Sequence, residues 1–270
     1  MRIRLGALCV LLAATATAAR GDDVSDVSDK LKPFDGFVSR SKELGVFVFV
    51  GNDKFTDKDF ALLAPLKEVN AVSLFRTKVT GAGLKALAGN NGLKVLNVTD
   101  TALDDAAFKV IGGLKGLERL TLQNCGPNDK RAKDLAGLTN LTELTLIGNL
   151  GLTGKGVKEF TGNTKLKALE LPNSASSNEA ATAVAKFAQL EKLKISGGTL
   201  NNTGLKQLAA LKNLKVLSVP NTEITEAGLT SLEGMKALRE LDVFGRPNVS
   251  KKAADALKKK LPDLKIESVK

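Results

Sequence analysis

Apolar residues recur along the chain in one short pattern, apolar-x-x-apolar-x-apolar, which is found ten times. The first copy is Leu44, Phe47 and Phe49, and successive copies begin 23 to 25 residues apart. A spacing that changes from three residues to two is typical of a chain that leaves a loop and enters a strand with one buried face. The pattern therefore predicts one short strand per repeat. The later copies begin at Val69, Leu93, Leu117, Leu141, Leu166, Leu190, Leu214, Leu238 and Leu261.

A helix start follows each predicted strand. Residues with a side-chain oxygen recur there, and such residues cap helices because the oxygen accepts a hydrogen bond from a free backbone amide. After Asn201, for example, Leu205, Leu208 and Leu211 form an apolar stripe at helical spacing. One strand and one helix cannot bury their apolar faces alone, so neighbouring repeats must stack. The predicted N-caps are Thr56, Thr80, Asp104, Thr153, Asn201, Thr225 and Ser250.

The repeat resembles the leucine-rich-repeat family, whose pattern is L-x-x-L-x-L-x-x-N/C-x-L, and the resemblance covers about residues 44–270. It looks most like the ribonuclease-inhibitor-like and cysteine-containing classes found in bacterial exported proteins. The resemblance implies an α/β solenoid (a horseshoe) of about ten strand–helix units, with a parallel sheet on the concave side and helices on the convex side. It also implies that the ninth residue of each unit satisfies backbone groups in the turn after the strand. That residue is Thr77, Thr101, Cys125, Asn149, Ser174, Gly198, Thr222 or Arg246.

Three of these units depart from the pattern. Gly198 and Arg246 lack the side chain that the turn requires, so we expect small irregularities there. The stretch 174–179 lacks the apolar residue that should follow the turn, and we expect it to bulge outward.

The two ends of the chain differ from the repeats. Basic residues, an apolar run from Leu5 to Ala14 and small residues up to Ala19 predict a signal peptide over 1–19, cut after Ala18 or Ala19. An uncleaved short anchor is the alternative, although the run is too short to span a bilayer. We expect a flexible acidic leader and an N-terminal cap over 20–43, and the repeat domain over 44–270. The prediction is an exported protein in the periplasm, at the cell surface or secreted.

The composition offers little for catalysis. The sequence has no His and two Cys residues, and signal cleavage would leave Cys125 alone, so neither a disulfide within the chain nor a thiolate metal cluster is expected. Glycine pairs such as Gly81 and Gly83 recur at helix starts, which explains them better than phosphate binding does. We therefore predict that the protein is not an enzyme and needs no cofactor or metal.

Positions three, five and seven of each unit should face the concave side, because side chains alternate across a strand. In the first unit these positions are Val46, Val48 and Val50, and in the last they are Asp263, Lys265 and Glu267. Apolar residues persist in the seventh column, where a solvated face would be polar. These are Phe75, Ile147, Pro172, Pro220 and Phe244. Charges of both signs occupy the middle of the face, namely Arg119, Glu143, Glu170, Lys192 and Lys194.

These columns predict a patch that binds a protein partner through Phe75, Ile147 and Phe244, with the five charged residues providing selectivity. The alternative is that the charges pair across strands and keep the sheet soluble. The formal charge is +11 and 31 of the 40 basic residues are Lys, which favours a second hypothesis. In that hypothesis the Lys-rich convex side binds an anionic polymer of the cell envelope, and binding would weaken as salt rises. Nucleic acid is not expected, because aromatic and Arg residues do not alternate. We expect a monomer.

Overall fold

The chain forms an α/β solenoid with one continuous sheet along its length. A computed structural model describes residues 22–66, 68–245 and 249–267, so the predicted signal peptide and Arg246 lie outside the described residues. The strands are β1 (Phe37–Ser41), β2 (Gly45–Val50), β3 (Ala71–Phe75), β4 (Val95–Thr99), β5 (Arg119–Gln123), β6 (Glu143–Ile147), β7 (Ala168–Leu171), β8 (Lys192–Ile195), β9 (Val216–Ser218), β10 (Glu240–Asp242) and β11 (Lys265–Glu267).

Short helices alternate with the strands. The α-helices are α1 (Asp22–Leu31), α2 (Gly81–Leu84), α3 (Asp105–Gly113), α4 (Asp129–Leu135), α5 (Gly154–Lys158), α6 (Asn178–Val184), α7 (Asn202–Leu208), α8 (Glu226–Leu229) and α9 (Lys251–Lys260). Short 3₁₀ helices extend or replace them at Lys32–Phe34, Asp57–Leu63, Lys85–Leu87, Glu159–Gly162, Asn173–Ala175 and Thr230–Leu232. The helices pack on one face of the sheet and leave the other face for solvent or a partner.

The order of strands in the sheet is the order in the sequence, from β1 to β11. All neighbouring pairs are parallel except β1 with β2, which form an antiparallel hairpin. The fourth and sixth residues of each unit point into the core, as Leu120 and Leu122 do at 1% and 0% exposure. One apolar core therefore runs between the sheet and the helices through the described part of the chain.

The first repeat is shifted by one residue from the sequence prediction. β2 pairs Val48 with Val72 and Val50 with Leu74, so both valines face the core at 0% exposure. Phe47 and Phe49 point to the concave face instead. The prediction that placed Val46, Val48 and Val50 on that face was wrong, since Val46 is also buried. The unit begins at Gly45, which restores the 24-residue spacing to Val69.

The N-terminal cap is more ordered than the sequence prediction suggested. The acidic stretch expected to be a flexible leader forms the helix α1, in which Val27 and Leu31 are fully buried against the first layer of the core. The Ser28 hydroxyl accepts a hydrogen bond of 3.2 Å from the amide of Val38 in β1. The free edge of the hairpin is thereby covered, and such edges promote aggregation when they are left bare.

At the other end, β11 is also displaced from its predicted register. Lys265 pairs with Glu240 and Glu267 with Asp242, so Lys265 takes the third position and Glu267 the fifth. The prediction of Asp263, Lys265 and Glu267 in the third, fifth and seventh columns was therefore wrong. Lys265 and Glu267 each lie one column earlier than predicted, and Asp263 precedes the strand. β11 has only three residues and carries two charges, which limits pairing with another chain at this edge.

All seven predicted N-cap positions are confirmed, and five of the seven side chains make the expected hydrogen bond. Thr80, Asp104, Thr153, Asn201 and Ser250 each accept a hydrogen bond from an amide in the first turn of the helix that follows. Thr56 and Thr225 occupy the same cap position with extended backbones.

Buried polar side chains line the turns after the strands, at the ninth position. Thr77, Thr101, Asn149 and Thr222 are at most 5% exposed, and Cys125 is 1% exposed. The predicted outward bulge after Ser174 is not present, because the 3₁₀ turn folds inward and buries Ala175 and Ser176. The Ser176 hydroxyl donates to the carbonyl of Gly197 at 2.6 Å.

Candidate functional site

The concave face is formed by side chains at the third, fifth and seventh positions. The registers of β2 to β11 align them into columns across the solenoid. The charged residues in the third and fifth columns are Arg119, Glu143, Glu170, Lys192, Lys194, Glu240, Asp242, Lys265 and Glu267. Acidic and basic residues are nearly equal in number there, so the strong positive charge of the chain lies elsewhere.

An apolar cluster occupies the N-terminal third of this face. Phe47, Ala71 and Val95, at the third position of three adjacent units, are buried at 6%, 1% and 8% exposure. Phe37 of β1 covers them, with its ring 5.8 Å from that of Phe47 and 5.4 Å from that of Phe49. The cluster was missed from the sequence because the predicted register of the first unit pointed both phenylalanines into the core.

The charged centre of the face is only partly paired. Lys194 Nζ lies 2.6 Å from Glu170 Oε1 on the adjacent strand, so these two residues match the alternative in which charges pair across strands. Arg119 and Glu143 are opposite each other in β5 and β6, yet neither they nor Lys192 form an ion pair within the described part of the chain. Three of the five predicted charges therefore remain available to a partner.

A groove of about 410 Å³ brings part of the predicted patch together at the amino end of the strands. Arg119 and Glu143 contribute charges. Leu44 and Val95 contribute apolar surface, since Val95 belongs to the apolar cluster and Leu44 packs against it. The ion pair between Lys94 and Glu118, with 3.1 Å between Nζ and Oε1, lies at its edge. The remaining lining residues are Glu43, Gly45, Asn70 and Thr142. The lining of the groove is thus mainly polar, with the unpaired charges of Arg119 and Glu143 beside the apolar side chains of Leu44 and Val95.

The seventh column is less exposed than the sequence suggested. Phe244 is 58% exposed, whereas Phe75 and Ile147 are half-buried and Pro172 is buried. The Arg76 guanidinium lies over the Phe75 ring at 4.9 Å from its centroid, which shields that ring further. These residues sit at the carboxyl ends of different strands and do not form one continuous patch with the groove.

Leu150 is an exposed apolar residue that sequence reasoning missed. It is 87% exposed and lies in the turn after β6, beside the buried Asn149. Its repeat has 25 residues, and the additional residue lengthens this turn. The irregular spacing was the one signal in the sequence that marked the turn as unusual.

Cys125 is held in a structural role. Its thiol donates to the carbonyls of Val98 and Gln123 at 3.0 and 3.1 Å. Burial raises the pKa of the Cys125 thiol to about 12, and the backbone hydrogen bonds only partly offset that effect. A nucleophilic cysteine needs a thiolate near neutral pH, so this environment suits packing and not catalysis.

The described residues contain neither a metal-binding cluster nor a membrane-spanning helix. Within 22–66, 68–245 and 249–267, no group of three or more His, Cys, Asp or Glu side chains is placed to hold a metal ion. Over the same ranges, no helix is long and apolar enough to cross a membrane.

Comparison with solved structures places the fold among the leucine-rich-repeat proteins. An internalin (inlF) from Listeria monocytogenes superposes with a TM-score of 0.59 at 18% identity, covering 81% of this chain. Internalin C2 (inlC2) from the same species superposes with a TM-score of 0.58 at 18% identity, covering 92% of this chain and 93% of its own. The chain spans 65% of the length of the first of these structures.

This similarity establishes the leucine-rich-repeat solenoid, and at such identity it concerns the fold alone. No protein-family model matches the sequence, and no curated protein matches it. The subclass suggested by the repeat pattern therefore stays a prediction.

Proposed function

We propose that the protein is a non-catalytic recognition scaffold that binds a protein partner through its concave face. The observation that carries the proposal is the groove at the amino ends of β2 to β6, where unpaired Arg119 and Glu143 lie beside the apolar side chains of Leu44 and Val95. Interfaces of this kind gain affinity from apolar contacts and selectivity from charges that a partner must match.

The rigid backbone of the solenoid supports this role. The groove residues lie on or beside adjacent strands of a continuous sheet, so a partner meets them in one fixed arrangement. Little conformational entropy is lost when such a preorganised surface binds. Phe75, Ile147 and Phe244 extend the proposed surface along the carboxyl ends of the strands, and Glu170, Lys192 and Lys194 extend it beyond the groove.

Export is part of the proposal, on the basis of the sequence of residues 1–19. We propose that the mature chain acts as a monomer in the periplasm, at the cell surface or in the medium, and that it needs no cofactor.

The test is affinity capture from an envelope extract with residues 22–270 and two matched variants. The groove variant carries Arg119→Glu and Leu44→Asp, and a second carries Phe75→Asp and Phe244→Asp. The control carries Lys258→Glu and Ala256→Asp, which makes the same change in charge on exposed residues of α9. Circular dichroism and urea unfolding would be measured for each variant to test whether it folds.

We expect a salt-resistant protein partner that the control still binds and the groove variant loses. The Phe75 and Phe244 variant shows whether the partner also contacts the carboxyl ends of the strands. Capture that survives both concave variants would overturn the assignment of the site.

A further inference from the structure

The convex side carries a column of lysines at one helical position. Lys85, Lys109, Lys133 and Lys158 belong to four consecutive repeats, at intervals of 24, 24 and 25 residues. Lys206 occupies the same position two repeats later, and Thr182 stands between. All five lysines are exposed. Because neighbouring helices pack about 8–10 Å apart, the first four define a basic strip of roughly 30 Å across the helices.

The residues three positions before the first four column lysines are small or basic, namely Ala82, Ala106, Lys130 and Lys155. Lys130 is paired with Asp105, so Lys155 is the one that adds free charge. Gly89, Gly113 and Gly162, four residues after their lysines, have no atom within 4 Å of where a Cβ would lie, whereas the side chain of Lys115 lies beside Gly137. The space beside the strip is therefore open at three positions and holds another lysine at the fourth.

The nearby carboxylates form no ion pair with the column lysines. Asp129, four residues before Lys133, instead accepts from the Thr153 amide and hydroxyl and from the Gly156 amide. Asp105 accepts from Arg131 Nε at 2.7 Å and from Lys130 Nζ at 3.0 Å. Asp134 and Glu159 each follow a column lysine by one residue, and adjacent residues do not face each other on a helix.

The column lysines themselves have no acidic partner. Lys85, Lys109, Lys133, Lys158 and Lys206 make no ion pair in the part of the chain that the structure describes.

We propose that this lysine column binds a flexible linear polymer that carries phosphate groups, which runs across the helices along the solenoid. A lysine ammonium is a point charge on a flexible stem, and it suits a repeated phosphate better than a single group that needs a two-pronged contact. The charges recur at one interval per repeat, so a chain of anions can engage several repeats at once. This site is independent of the concave groove and uses none of its residues.

The first experiment measures binding of inorganic polyphosphate to residues 22–270, in low salt and over a salt series. The column variant replaces Lys85, Lys109, Lys133 and Lys158 by Gln. The matched control replaces Lys42, Lys54, Lys251 and Lys259 by Gln, which removes the same charge from exposed lysines near the two ends. Urea unfolding shows whether each variant keeps its stability.

We expect the column variant to lose roughly tenfold or more in affinity and the slope of log affinity against log salt to fall by about 3, because each phosphate contact contributes about 0.7 to that slope. The control should change affinity by much less. Equal losses in the two variants, or no binding of polyphosphate by the wild type, would overturn the proposal.

A variant that adds a lysine to the column provides a second test of the proposal. Thr182→Lys fills the gap between Lys158 and Lys206, and Glu179→Gln accompanies it because this exposed carboxylate, one helical turn earlier, would pair with the new lysine. The exposed hydrogen bonds from Thr182 Oγ1 to Asn178 and Gln207 are lost. The variant should raise the affinity for polyphosphate several-fold, by about one further phosphate contact. An unchanged affinity contradicts the column.

Two further polymers identify the ligand class. Poly-L-glutamate carries carboxylates, and duplex DNA carries phosphates on a stiff helix. Tighter binding of polyphosphate than of either supports a flexible phosphate polymer. Equal or tighter binding of either comparator shows that the assigned class is wrong.

Discussion

Asn149 shows how one side chain can hold a turn of the solenoid together. Its Oδ1 accepts from the amides of Cys125 and Gly126, both at 3.1 Å, and its Nδ2 donates to the carbonyl of Leu122 at 2.9 Å. All three partners belong to the preceding repeat, and the asparagine is 2% exposed. The side chain therefore satisfies backbone groups that neither solvent nor the sheet can reach.

Asn149→Ala should destabilise the protein by about 2–4 kcal/mol, because it leaves the buried Cys125 amide and Leu122 carbonyl, and the partly buried Gly126 amide, without a partner. Urea unfolding measures the change. Leu150→Ala is the matched control, since Leu150 is the adjacent residue and is 87% exposed. A loss in Asn149→Ala no greater than that in the control would show that the turn does not depend on these hydrogen bonds.

The role of the ninth residue of the repeat could be predicted from the sequence, but the role of the eighth was not. The ninth residue of each repeat was expected to satisfy the turn, and the burial of Thr77, Thr101 and Asn149 fits that role. The eighth residue was not singled out, although Asp100, Asn124 and Asn221 adopt positive φ of 52°, 53° and 59°. Asp and Asn tolerate that conformation better than most residues, so their recurrence at this position was the available signal.

At the scale of the element, the helix starts of adjacent repeats are bonded to one another. Asp129, the first residue of α4, accepts from the Thr153 amide and hydroxyl, both at 2.7 Å, and from the Gly156 amide at 3.0 Å. Asn178 and Asn202 reach the next cap in the same way. The capping residues were predicted from the sequence, but their bridging partners belong to the previous repeat and appear only once the helices are stacked.

Asp129→Ala should destabilise the protein at neutral pH and much less in acid. Burial raises the pKa of the Asp129 carboxyl, but the hydrogen bonds from Thr153 and Gly156 outweigh it and hold that pKa below the ordinary value of 3.8. A carboxyl whose pKa is lower in the folded protein than in the unfolded one stabilises the fold at pH values above its unfolded pKa. That stabilisation is lost as the pH falls through the folded pKa. The stability gap between wild type and variant should therefore be constant above about pH 5 and shrink below about pH 4.

Urea unfolding across that pH range measures the gap. Asp134→Ala removes a carboxylate from the same helix that makes no hydrogen bond in the described structure, so its gap should not follow the same curve. A gap for Asp129→Ala that is independent of pH contradicts an ionised Asp129 at the helix start.

The register of the first repeat could not be read from the sequence for a physical reason. Residues 46–50 are all apolar, so both faces of β2 look equally suited to the core. The choice depends on the hairpin partner, because Phe37 of β1 stacks on Phe49 and covers the concave side. The helix α1 left a clearer signal, since Val24, Val27 and Leu31 are spaced three and four residues apart in an otherwise polar stretch.

At the scale of the whole molecule, the N-terminal cap determines how the first layer is protected. Val27 and Leu31 of α1 are fully buried, and β1 pairs with β2 along five residues. In a solenoid each repeat contacts only its neighbours, so damage at one end stays local.

Val27→Asp should detach α1 and expose the first strands, because an unpaired charge in that layer is costly. Hydrogen exchange should show faster exchange of the β1 and β2 amides, while amides of β6 keep their protection. Ser25→Asp, at an exposed position of the same helix, is the control. Equal loss of protection at β6 would show that the solenoid unfolds as one unit.

The order of the strands has a consequence for how the chain is made. Because every strand pairs with the next one in the sequence, each contact across the sheet joins residues about one repeat apart, and no strand waits for a distant partner. The hairpin and its helix leave the ribosome or a translocation pore before the repeats do. They form a capped first layer, and each new repeat can pack on the layer before it as it emerges. We therefore expect the repeats to fold in the order of synthesis, from the N-terminus to the C-terminus.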